Sequence, residues 1–194
     1  VVKNQEIKTG EDGFVRMELN DGSVIVLGPN STIFIDQEMC EAANAMTKIR
    51  ITFGTVWTFV KKLIGGGKFE VSTERACACV RGTEFSVETN GTRDIVRVYE
   101  STVEVKMNMN TKEIEKSSND MEKISKDYQE GKITLEEYMA KVEEFSGKMN
   151  ESLDNMTNGT MVDAGLMVTV TDKVSTPEAI PGGETKWFED ARIK

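Results

Sequence analysis

Apolar and polar residues alternate with a period of two through most of the first half of the chain. Val15, Met17 and Leu19 alternate with Arg16 and Glu18, and the stretch "LNDGSV" then sets an Asp21-Gly22 turn ahead of Val24 to Leu27. Successive side chains of an extended chain point to opposite faces, so this alternation predicts strands buried on one side. Gly28-Pro29-Asn30 predicts a second turn before "TIFI", and "KIRITF" places Ile49, Ile51 and Phe53 on one face. Further strands are predicted at 55–60, 68–73, 76–81, 83–89, 93–99 and 102–107, with Asn90-Gly91 as a hairpin turn. Short strands at this spacing predict an all-β sandwich, barrel or solenoid. "FEVST" at 69–73 and "FSVET" at 85–89 are a faint echo of each other, as successive strands or rungs would be.

From about 111 to 153 the period becomes helical. Ile114, Met121, Ile124 and Tyr128 form one stripe, Gly131 breaks it, and Leu135, Tyr138, Met139, Val142 and Met149 form a second. Thr134 and Glu137 have the spacing of a capping box, in which each side chain satisfies the other's free backbone amide. An αα-hairpin inserted into a β domain is the prediction. The stretch "EGKITLEEYMAKVEEF" is similar to the short helical SHOCT-type motif, which is linked with oligomerisation. Strand patterning resumes in "MVDAGLMVTVT" at 161–171, which has to return to the same sheet system. The expected organisation is therefore a β domain over 1–107 and 160–172, a helical hairpin over 108–159, and a linker or tail over 173–194. In that tail Trp187 and Phe188 are candidate anchors to the body or to a neighbour.

Composition narrows the function classes. The chain has 194 residues, 33 acidic and 24 basic, for a net charge of −9. An acidic chain without a basic cluster repels phosphate backbones, which argues against nucleic acid as a partner. Histidine is absent, which removes the commonest general base and the commonest transition-metal ligand together. No apolar run approaches the roughly 18 residues of a membrane span. The start at Val1-Val2-Lys3 fits a mature form after removal of a signal, or a trimmed start. Five Asn-x-Ser/Thr sequons, at Asn30, Asn90, Asn150, Asn155 and Asn158, fit an exported glycoprotein, although turn-forming residues generate sequons on their own.

The stretch "ACACVRGTEFSVET" at 76–89 holds the most reactive side chains. In a strand Cys77 and Cys79 share one face, with Ala76, Ala78 and Val80 on the other. At this spacing a relaxed disulfide between the two is not expected. Zinc would need two further ligands, for which the chain offers Cys40 and carboxylates. As nucleophiles they would lack a histidine base. Small side chains packed in a strand are the expected role, with a disulfide from Cys40 to Cys77 or Cys79 as the alternative. Three cysteines would leave one unpaired. Gly65-Gly66-Gly67 lacks the context of a phosphate loop, and "NDG" at 20–22 lacks the spacing of a calcium loop; both are expected to be turns. No catalytic, cofactor-binding or metal site is expected.

Read in order, the β segments resemble FecR domains. "TGEDGFVRMELNDGSVIVLGPNSTIFI" is similar to the opening of that family, and "ITFGTVWTFV", "FEVSTERACACVRGTEFSV", "VRVYESTVEV" and "VDAGLMVTV" to its later blocks, in the family's order. Three positions depart from the family pattern: Ser101 stands for a Gly, Glu74 for a Pro, and Leu166 for an acid or amide. The resemblance implies a mainly-β, FecR-like sandwich or solenoid of short antiparallel strands, an extracytoplasmic setting and no catalytic residues. It makes Arg81-Gly82-Thr83 a structural turn. The expected function is a non-enzymatic binding or scaffold module at the cell surface, acting on a protein partner, a further copy of itself, or a glycan. The alternatives are a structural subunit of an extracellular assembly and the sensor domain of a FecR-type regulator.

Overall fold

A computed structural model describes residues 5–39, 46–61, 67–108 and 111–182. The chain divides into two compact units, Val1–Asn108 with Gly159–Lys194, and Met109–Asn158.

The first unit is a strongly curled sheet whose two halves share one long strand. β1 (Gln5–Lys8), β2 (Val15–Glu18), β3 (Val24–Leu27) and β4 (Thr32–Met39) lead into β5 (Met46–Val60). β6 (Lys68–Ser72), β7 (Ala76–Val80), β8 (Thr83–Thr89), β9 (Asp94–Glu100) and β10 (Thr102–Met107) follow. After the helices come β11 (Thr160–Asp163), β12 (Leu166–Val170) and β13 (Glu178–Ala179). The first half has the order β1-β4-β5-β6-β7-β10-β11 and the second β2-β3-β5-β8-β9-β12-β13. β6 runs parallel to β5, whereas the other ladders named here are antiparallel.

Alternation accounts for the core between the halves. Ile33, Ile49, Ile51, Phe69, Val71, Ala78 and Val105 from one half meet Ile25, Leu27, Val56, Phe85, Val87, Val96 and Val168 from the other in a single buried cluster. The echo of 69–73 in 85–89 is thereby explained, since Phe69 and Phe85 are the inward aromatics of one strand in each half and both are fully buried.

β5 is one strand where two were predicted. Its residues up to Phe53 pair with β4 and β6, and those from Gly54 pair with β3 and β8. At the changeover the register against β4 shifts, so that Thr32 faces Phe53 while Ile33 faces Ile51. The extra residue, Thr52, reverses the alternation as a β-bulge does. Ile49 and Ile51 are buried as expected, but Phe53 is turned outward and is 51% exposed, contrary to the strict alternation read from "KIRITF".

"MVDAGLMVTVT" likewise forms two strands, which turn at Gly165 (φ +83). β11 joins β10 in the first half and β12 joins β9 in the second. Of the segment 173–194 expected as a tail, the part up to Ile180 is bound to the sheet, and residues 183–194 lie outside the described residues. Val174 bridges Val170, the Ser175 amide donates to the Thr169 carbonyl, β13 pairs with β12, and the Ile180 amide donates to the Gly165 carbonyl. An unpaired edge of β12 supplies these partners, so the segment to Ile180 is part of the sheet.

The second unit contains α1 (Thr111–Gln129) and α2 (Leu135–Thr157). The capping box closes as predicted: the Glu137 amide donates to Thr134 Oγ1, and the Thr134 amide donates to Glu137 Oε2 at 2.8 Å. The Tyr128 and Tyr138 rings stack at 4.7 Å across the hairpin. The unit is an insertion between strands that are direct neighbours, because Val105 of β10 faces Thr160 of β11.

Candidate functional site

β7 lies inside the first half-sheet with both edges paired, to β6 and to β10. Ala76, Ala78 and Val80 enter the core, which leaves Cys77 and Cys79 on the outer face, as the alternation requires. Cys77 is buried and Cys79 half-buried, and their Sγ atoms stand 3.1 Å apart. Both thiols are free among the described residues. Cys40 lies outside the described residues.

Antiparallel pairing places Glu70 of β6 directly opposite Cys79. A Glu70 carboxylate oxygen and both Sγ atoms all lie within 4.8 Å of one another. On the same face Lys48 Nζ binds Glu70 Oε1 at 2.6 Å, and Lys106 binds Glu104 at 3.1 Å, one strand beyond. Either thiol can donate in the hydrogen bond between them; accepting it favours the Cys79 thiolate and lowers its pKa below the usual thiol value. Burial and the carboxylates of Glu70 and Glu104 oppose that shift, while Lys106 assists it. Cys77 is pushed up by that same bond, by burial and by the negative charge of Cys79 and Glu70.

Sequence reasoning placed the thiols correctly and missed Glu70. The signal was present, since a hairpin between 68–73 and 76–81 closed at Glu74-Arg75 already sets 70 against 79. A second polar group also escaped notice. Asp94 is fully buried and accepts from Thr73 Oγ1 at 2.5 Å and from Thr89 Oγ1 at 2.6 Å. Thr73 follows β6 in one half-sheet, and Thr89 ends β8 in the other, so the carboxylate ties the halves together. This arrangement is structural, because all three groups are withdrawn from solvent.

On the second unit, α2 carries Leu135 (59% exposed), Met139 (60%), Met149 (40%) and Leu153 (44%) along its length. The two predicted stripes therefore cover each other only in part. Between the helices runs an open groove of about 430 Å³, walled by Asp120, Lys123 and Asp127 of α1 and by Lys141, Glu144 and Lys148 of α2. Acids and bases alternate there, with Lys148 paired to Glu144 at 2.6 Å.

The sequon asparagines 30, 90, 150 and 158 are exposed, at the turn after β3, the turn after β8, on α2 and at its C-cap. The Asn155 side chain, Gly65, Gly66, Trp187 and Phe188 lie outside the described residues. Among the described residues no helix is long and apolar enough to cross a membrane.

A curled, two-half β sheet that shares one bent strand and carries an inserted helical hairpin defines a mainly-β domain of the FecR type. Residues 5–104 match the family model "FecR protein". More than half of the chain is covered, and the chain belongs to that family. Ser101, where the family pattern has Gly, adopts φ +60 between β9 and β10, the left-handed conformation that a Gly takes without strain. No curated protein matches the chain. Among solved structures, a candidate anti-sigma factor from Parabacteroides distasonis is similar in fold, with a TM-score of 0.55 at 14% identity. A second crystal structure of a candidate anti-sigma factor from the same organism gives 0.56 at 14%. In each case 90% of this chain is covered but only 59% of the other, so the chain spans less than two thirds of that protein's length.

Proposed function

We propose that the chain is the sensing or binding module of a FecR-type regulator, which works outside the cytoplasm by contact with another protein and performs no reaction of its own. What supports the reading above all is the family match across nearly all of the β unit before the helices. The fold it shares with the candidate anti-sigma factor adds a second line of support. The absence of histidine from the chain weighs against acid–base or nucleophilic chemistry. The contact surface is assigned to α2, where four large apolar side chains are exposed on a polar helix. Exposed apolar patches mark interaction sites, and methionine adapts to partner surfaces.

The test is site-specific photo-crosslinking in the cells that make the protein. A crosslinker at Met139 or Leu153 should capture one and the same protein, and a crosslinker at Gly91, on a β turn, should not. Equal capture from all three positions, or none, would refute the assignment. Capture solely between copies of the chain would replace it with the assembly reading.

A further inference from the structure

Cys77, Cys79 and Glu70 form a donor set that the family's role does not use. Three ligand atoms converge within 4.8 Å. They are carried by two strands locked in register, Glu70 against Cys79 and Ser72 against Cys77, and β7 is also held by β10 on its far edge. Strand-borne ligands of this kind keep their geometry without help from a loop. The donors are matched in softness, since thiolates select zinc, copper(I) and related ions over calcium or magnesium.

We infer that Cys77, Cys79 and Glu70 bind one thiophilic metal ion of the zinc class, with a water molecule in the fourth position. A tetrahedral zinc holds sulfur at about 2.3 Å and carboxylate oxygen at about 2.0–2.2 Å. Two such sulfurs lie about 3.8 Å apart, so the thiols, now at 3.1 Å, separate by a small side-chain rotation with the backbone in place. Binding displaces both thiol protons to solvent. Two thiolates and one carboxylate leave the occupied site with a single negative charge, and the ammonium groups of Lys48 and Lys106 already stand on that face. One Glu70 oxygen stays with Lys48 while the other turns to the metal.

The reduced full-length C40A variant, stripped of metal, tests the site without the third cysteine. It is titrated with zinc(II) against a chromophoric chelator and with cadmium(II) for the sulfur-to-metal charge-transfer band. One ion per chain is expected, with the band of two thiolates and no change in oligomeric state. C79S and C77S should each weaken binding by about a hundredfold or more, and E70Q by about tenfold. Cys79 and Glu70 are only half-buried, so C79S and E70Q are tolerated by the fold, which circular dichroism checks. Absence of binding to C40A, a full-strength band in C79S, or an affinity unchanged in E70Q overturns the three-ligand site. Metal that binds only by joining two chains also overturns it.

Discussion

Gly54 approaches Ser31 so closely that no side chain fits between them. A Cβ at position 54 would stand 2.5 Å from Ser31 Cα and 2.7 Å from its Cβ, and Gly54 itself has φ +94. Ser31 is fully buried, and its Oγ accepts from the Thr55 amide at 2.9 Å. This contact sits at the corner where β5 leaves one half-sheet for the other, so the whole sandwich turns on it.

Gly54→Ala combines a backbone strain of about 1–2 kcal/mol with a backbone clash, and should cost about 3 kcal/mol or more. Gly91→Ala, at φ +82 with nothing within 4 Å of the new Cβ, should cost only the strain. Urea midpoints of the two variants separate the contributions, and equal losses would show that the Ser31 contact is unimportant.

Replacing Asp94 by Ala leaves the buried Thr89 hydroxyl proton without an acceptor and the Thr73 hydroxyl with only the longer bond to the Ala76 carbonyl at 3.3 Å, and an unsatisfied buried polar group costs about 1–3 kcal/mol. A loss of roughly 2–5 kcal/mol is expected in equilibrium unfolding. Thr89→Val, which removes one of the two donors, should lose less than Asp94→Ala. Additive losses in the double variant would show that the two residues act independently.

Excision of 111–156 in favour of a short Gly/Ser linker should leave the β unit folded. Val105 and Thr160 are already paired at the base, and closure entropy varies only weakly with loop length. The unfolding midpoint of the excised protein should fall near that of the full chain. A non-cooperative transition would mean that the hairpin belongs to the core.

Ser101→Gly should stabilise the protein. Relief of a left-handed residue returns about 1–2 kcal/mol, and the added freedom of the unfolded chain takes back about 0.4–1 kcal/mol. The net gain is about 0.5–1 kcal/mol, which is readable as a rise in melting temperature. A loss would show that the Ser101 side chain has a role of its own.

The start of α2 should loosen in acid. The Glu137 carboxylate accepts from the Thr134 amide and hydroxyl, which lowers its pKa. A depressed folded pKa contributes stability above the unfolded value, about 4.3, and that contribution is lost as pH falls through the folded value. The protection of the Thr134 and Glu137 amides against hydrogen exchange, taken relative to the intrinsic rate at each pH, should therefore fall below about pH 4, and in Glu137→Gln that pH dependence should disappear.

Local chemistry made much of this molecule readable from its residues alone. The Thr134–Glu137 box, the Asn90-Gly91 turn and the inward positions of Ile49, Ile51, Phe69 and Phe85 depend on neighbours a few residues away. The order of the FecR-like blocks likewise lies in the linear pattern. Alternation says which face a residue takes and nothing about which strand comes to lie beside it. Pairing across the sheet brought Glu70 to Cys79 and Asp94 to Thr73. It also split 161–171 between two half-sheets and drew residues 174–180 onto β12. The same limit explains Phe53: one bulged residue at Thr52, forced by the turn of β5 against Ser31, reverses the face of everything beyond it. Such registers are set by the closure of the whole sandwich, because only there does a shift of one residue exchange buried side chains for exposed ones.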